Sequence, residues 1–130
     1  MPRSLHIICV SASREKLQMA AMIASVAAAS GDQVSVFFSM NALQYFIRGR
    51  DATAPAEGEF GELMQRHPGV PGFKTLFQQA AELGDARLLP CSMALDLLAL
   101  GKDGLDPEMG PPTGLTRFLS DAEGGQLLSF

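Results

Sequence analysis

The sequence predicts an α/β fold: one three-layer α/β/α domain on a mainly parallel sheet of four to five strands. Three observations carry this. Short apolar runs recur at 5–10 (LHIICV), 33–38 (QVSVFF) and 86–90 (ARLLP). Helical patterns with capping and stop signals lie between them. The first run is apolar on both faces, as a strand covered by helices above and below must be. Alternation of strand and helix then favours parallel pairing through right-handed crossovers.

The elements follow in order. After the strand at 5–10, Ser13 is placed to cap a helix that carries Glu15 in its first turn and runs to about Ala29, with Gly31 ending it. Leu17, Met19, Met22, Ile23 and Val26, with alanines between, almost encircle this helix. One sheet cannot cover so many faces, so a subunit interface is expected. The strand at 33–38 leads to a short helix at 41–48, capped by Asn41. That helix is expected to run back toward the N-terminal ends of the strands.

The segment 49–72 is a flexible Gly/Pro-rich insert, read as a flap or connector that climbs the sheet and arrives near Cys91. Phe60, Leu63 and Met64 can anchor a brief helical turn within it. A helix at 73–83 carries Phe73, Leu76, Phe77, Ala80 and Leu83 on one stripe, with Gly84 as its stop. The strand at 86–90 runs directly into Cys91 and a helix from Ser92 to Leu100. A Gly/Pro-rich stretch at 101–114, a short helix at about 115–122 and a last strand, QLLSF, close the chain.

With 130 residues the chain is one domain, 1–130, large enough to bury about two thirds of its unfolded surface. Apolar residues make up 47% and charged residues 18%, a globular balance. The net charge of −4, with 10 scattered Lys and Arg, argues against nucleic acid or an anionic membrane as partner. The apolar stretch from Leu17 to Ala29 falls short of the roughly 20 residues that span a bilayer. The first residues do not read as a signal peptide. Two cysteines cannot make a secreted disulfide framework. The expected compartment is the cytoplasm.

Reactive groups in parallel sheets collect outside the carboxyl ends of the strands. The turn Val10-Ser11-Ala12-Ser13 lacks the glycines of a phosphate loop, and its serines read first as caps. Cys9 lies inside a strand; Arg14 follows five residues later, one short of a tyrosine-phosphatase cradle, and Cys9 reads as packing. Cys91 opens a helix. There the N–H groups of Met93 and Ala94 are expected to face its sulfur and favour the thiolate. Asp96 lies one turn further on. His6 and His67 give no metal spacing with the cysteines, so no metal and no cofactor are expected. Cys91 is the candidate catalytic residue, with Ser11, Ser13, Asn41, Ser92, Met93 and Asp96 as candidate pocket residues.

The segment LLPCSMALDLLALGKDGL (88–105) resembles the cysteine segment of the DsrE/DsrF-like family, in its peroxiredoxin-annotated branch. Cys91, Met93 and Asp96 match its Cys-x-Met-x-x-Asp pattern. FKTLFQQAAELG (73–84), VFFSMNAL (36–43) and TGLTRFLSDAEGGQLLSF (113–130) are similar to its preceding helix, its second-strand turn and its closing helix and strand. The resemblance implies a three-layer fold, a homo-oligomer and sulfur relay. Its cysteine would carry a persulfide exchanged with a TusA-like or rhodanese-like carrier protein.

Where that family has a Gly-Val-rich strand, this chain has DPEMGPPTG (106–114), and proline cannot donate to a central ladder. A frayed sheet is expected there. Leu88 stands where a peroxidatic cysteine would need Thr or Ser, so the chain is not read as a true peroxiredoxin. SMALDL ends in no Arg or Lys, so no rhodanese cradle surrounds Cys91. The alternative is a non-catalytic small-molecule-binding or regulatory module on the same fold.

Overall fold

The computed structural model describes residues 2–130. Its elements are β1 (Ser4–Cys9), α1 (Arg14–Ala29), β2 (Gln33–Phe38), a 3-10 helix (Met40–Phe46), α2 (Glu59–Arg66), α3 (Phe73–Gly84), β3 (Arg87–Pro90), α4 (Ser92–Leu98), α5 (Leu115–Asp121) and β4 (Gln126–Ser129). The four strands form one sheet in the order β3-β2-β1-β4, every pair parallel. Registers such as Ile7↔Val36 and Val36↔Leu88 put apolar side chains in rows on one face.

Helices α1 and α3 pack together on that face. There Phe38 meets Phe46 and Phe77, with ring centroids 4.4 and 5.0 Å apart. The next residue, Phe37, points the other way and meets Phe118 of α5 at 5.0 Å. Period-two alternation along β2 thus explains the three layers. Among the described residues, no helix is long and apolar enough to cross a membrane.

The prolines at 106–114 act as the sequence predicts. No fifth regular strand forms. Instead the Gly110 N–H donates to the Leu88 carbonyl and the Thr113 N–H to the Pro90 carbonyl, while Pro111 and Pro112 between them contribute no donor. The segment lies along the outer edge of β3 with a single bridge, Cys91↔Thr113.

Several expectations need correction. The turn after β2 is a 3-10 helix, and it does not run back along the sheet. Tyr45 Oη donates to the Ala12 carbonyl at 2.8 Å, Phe46 stacks on Phe38, and Ile47 bridges to Leu105, so the turn stays at the carboxyl edge. Consequently 49–72 does not climb the sheet; its recorded hydrogen bonds hold it over the start of α1. Asn41 is not a cap. Ser39 holds that position without a side-chain bond, and Asn41 lies exposed inside the turn.

Gly84 does not stop α3; Asp85, in the left-handed region at φ 58°, does. Gly84 is needed for a different reason. A Cβ there would come within 2.5 Å of the Ala28 Cβ, so the glycine lets α3 and α1 approach. Leu83, placed on the buried stripe by periodicity, is 84% exposed. Helix α4 ends at Leu98 rather than Leu100, with Ala99 left-handed at φ 56°.

Candidate functional site at the carboxyl edge of the sheet

The carboxyl ends of β1, β2 and β3 extend the ladder by one further row. The Val10 N–H donates to the Phe130 carbonyl (2.9 Å), the Ser39 N–H to the Cys9 carbonyl (3.0 Å) and the Cys91 N–H to the Phe38 carbonyl (2.9 Å). The candidate residues lie in the turns that leave this row and the first turns of the helices that follow them. Ser11 and Ser13 follow β1, Asn41 follows β2, and Cys91, Ser92, Met93 and Asp96 follow β3.

Cys91 is the N-cap of α4, as expected, with φ −68° and ψ 122°. Its carbonyl accepts from the Leu95 N–H at 3.0 Å. Its sulfur, however, accepts no cap hydrogen bond, so the expected contact with the Met93 and Ala94 N–H groups is not made. The thiol is unpaired but only 5% exposed. The edge segment flanks it, through the Ser92 N–H to the Thr113 carbonyl at 2.9 Å. Met93 and Asp96 are exposed and Ser92 is half-buried.

Cys9 is fully buried, and burial pushes its thiol up to about 12. A thiol that stays protonated in a strand interior is packing, as the sequence suggests. Ser11 and Ser13 are both engaged by the start of α1. Ser11 Oγ accepts from the Ser13 N–H at 2.9 Å, and Ser13 Oγ accepts from the Lys16 N–H at 3.3 Å. Ser13 is thus the N-cap of α1, while Ser11 closes a local turn onto Ser13 and caps no helical N–H.

Sequence reasoning passed over a second group at the same edge. Both carboxylate oxygens of Glu15 accept from the Glu57 N–H (2.9 and 3.0 Å), and one also accepts from the Gly58 N–H at 2.8 Å. These backbone bonds hold the carboxyl below its usual range, against a smaller opposing effect of burial. Arg14 Nη1 donates to the Gly61 carbonyl and to Gln65 Oε1 (2.8 Å), and the Arg14 N–H to the Pro55 carbonyl (2.9 Å). Gln18 Nε2 donates to the Pro71 carbonyl at 3.0 Å.

The first two turns of α1 thus hold the segment 49–72 at Pro55–Gly58, at Gly61 and Gln65, and at Pro71. Between them lies a cavity of about 300 Å³, lined by residues that include Arg14, Gln18, Ala54, Met64, Phe73 and Lys74. Cys91, Ser11 and Asn41 are not among its walls. The available signal was the Arg14-Glu15 pair opening a helix at the sheet's carboxyl edge, opposite a glycine-rich segment full of free N–H groups.

No family model and no curated protein matches the chain. Solved structures do match, two of them as follows. The ychN protein from E. coli aligns over 100% of both chains at 13% identity with a TM-score of 0.69. A protein of unknown function from Methanobacterium thermoautotrophicum, MTH1491, also aligns over 100% of both chains at 13% identity, with a TM-score of 0.62. At that identity the likeness shows the fold alone, and it supports a DsrE-like fold for this chain.

Proposed function

We propose that the protein is a sulfur-relay protein that carries a persulfide on Cys91. The observation that carries the reading is the placement of Cys91. It stands at the carboxyl edge of a parallel sheet as the N-cap of a helix, unpaired, while the other cysteine is sealed in a strand interior. The DsrE-like fold adds support.

The step balances without an oxidant. The Cys91 thiolate attacks the outer sulfur of a donor persulfide. The donor's S–S bond breaks as a new one forms at Cys91, and the donor leaves as a thiolate. The donor or acceptor is a TusA-like or rhodanese-like carrier whose docking moves the 110–114 edge aside. A cytoplasmic, reducing setting suits two unpaired cysteines, and the working unit is a homo-oligomer.

Intact-mass spectrometry after polysulfide treatment tests the reading. The wild type should gain about 32 Da, one sulfur atom, and Cys91→Ala should not. An equal adduct on Cys91→Ala overturns it. The low exposure of Cys91 favours a second reading, a non-catalytic binding module, for which a wild type that takes up no sulfur is the expected outcome.

A further inference from the structure

One face of the sheet breaks its own pattern. On the face that α5 covers, the row Ile8, Phe37, Leu89 is apolar, as a covered parallel sheet requires. The preceding row on that face is His6, Ser35, Arg87, three polar residues on three adjacent strands. A cavity of about 730 Å³ opens over this row, with Asp85, Arg117 and Asp121 also on its walls. It lies at the amino edge of the sheet, opposite the edge that carries Cys91.

His6 is aimed into this cavity. Its side chain is 7% exposed, and neither ring nitrogen has a hydrogen-bond partner among the described residues. A Cβ on Gly125 would come within 3.0 Å of His6 Cδ2 and Nε2, so that edge of the ring lies against the backbone just before β4. Nδ1, on the opposite edge, therefore faces away from β4, toward Ser35 and the cavity. Burial lowers the His6 pKa and keeps the ring neutral at pH 7, with one donor and one acceptor to satisfy. Native proteins leave few buried polar groups unmet, and a cavity is where a partner from outside the chain can enter.

The charges on the walls mostly cancel. Arg117 holds Asp121 at 3.1 Å, and Arg3 holds Asp32 at 3.1 Å. Arg87 and Asp85, both exposed, are the two left without an ion pair among the described residues, and they are of opposite sign.

We infer that this cavity binds a small zwitterion of the amino-acid class. Its carboxylate lies on Arg87, its ammonium on Asp85, and a hydrogen-bonding side chain reaches His6 Nδ1 beside Ser35. A guanidinium takes a carboxylate through paired N–H bonds. A net anion would meet Asp85 unopposed, and a net cation would meet Arg87. A cavity of about 730 Å³ is within the range of ligand pockets and admits a free amino acid or a dipeptide. The unmet imidazole, a cost to the empty fold, is then explained by what it binds. The site shares no residue with the Cys91 edge, so it stands whether or not the thiol carries sulfur.

Isothermal titration calorimetry on the full chain uses L-glutamine and L-alanyl-L-glutamine, and the tighter binder identifies the source. The N-acetylated and the amidated forms of that binder each lack one charge and should bind at least about tenfold more weakly. Its leucine counterpart keeps both charges but has no polar side chain, and should bind about threefold to tenfold more weakly.

Three variants locate the contacts. Arg87→Ala should weaken binding as amidation does. Asp85→Asn should weaken it as acetylation does and leave the acetylated ligand unaffected; asparagine tolerates the left-handed backbone there, at φ 58°. His6→Phe should lose about threefold to tenfold in affinity while its melting temperature rises, which separates lost binding from a lost fold. No binding of either zwitterion overturns the inference. So does an acetylated or amidated ligand that binds as tightly as its parent, or unchanged affinity in any of the three variants.

Discussion

His6 is the most exposed weakness of the core, and replacing it should make the protein more stable. It sits in the central strand β1, 7% exposed, and neither ring nitrogen has a hydrogen-bond partner among the described residues. Its aromatic partner is Phe118, edge-on, with centroids 5.9 Å apart and planes at 84°. An unmet buried polar group costs about 1–3 kcal/mol. An edge-to-face aromatic pair contributes only about 0.5–1.5 kcal/mol.

His6→Phe keeps the flat ring against Phe118 and removes both unmet nitrogens. The adjacent cavity, also lined by Ser35, Arg87 and Asp121, has room for the extra ring atom. The expected net gain is about 1 kcal/mol, measured as a shifted urea midpoint at unchanged slope.

The pH dependence is the sharper arm. Burial holds the His6 pKa below 6.5; Arg87 adds to the lowering and Asp121 opposes it. The unfolded chain then takes up its proton first as pH falls. Wild-type stability is therefore complete above 6.5 and declines below it, by at most about 1.4 kcal/mol per pH unit, until the folded pKa is reached. The gap between His6→Phe and wild type should widen from pH 8 to pH 5. A constant gap, or a variant less stable at both pH values, refutes the reasoning.

Three further outcomes are expected. Iodoacetamide should label Cys91 before Cys9 in the native protein, since Cys9 is both sealed and protonated; peptide mapping that finds Cys9 labelled first contradicts this. Glu15→Gln should speed hydrogen exchange at Glu57 and Gly58. The wild type should show the same loosening as pH falls through the folded pKa of Glu15, which lies below its ordinary value, so the fastening is complete above the carboxylate range. Light scattering should find a homo-oligomer that Met22→Glu weakens, because Met19, Met22 and Val26 of α1 are exposed and line a groove of about 410 Å³ with Leu128; a monomer across micromolar concentrations counts against it.

The sheet was legible because its signals are local. The runs at 33–38 and 86–90 are apolar and bounded by turns, and the observed β2 and β3 fall within them. Helices α1 and α3 followed from their spacing, and the fraying at 106–114 from two prolines. The misreadings share a cause. Whether the turn at 40–46 runs back or stays put is decided by Tyr45 reaching Ala12 and by Phe46 stacking on Phe38, partners distant in sequence. Gly84 reads locally as a stop, yet its role is set by Ala28 across a helix contact.

Cys91 was correctly placed as a cap. That its sulfur takes no N–H bond depends on side-chain geometry that no spacing encodes. The cavity under 49–72 was invisible for the same reason. Arg14, Gln18, Gly72 and Lys74 come from two stretches of chain that only the fold joins.

The two borders of the sheet are unequal, and this limits how copies can add to one another. Along β3 the strip from Gly110 to Thr113, with its paired prolines, leaves few donors for an incoming strand. Beside β1, the other border, β4, has no neighbour beyond it and shows Leu127 to solvent. Strand-to-strand growth has only this one door. Two molecules meeting there, each through β4, would extend the sheet once and then present only proline-blunted ends. Such a pairing closes on itself instead of propagating into a fibre.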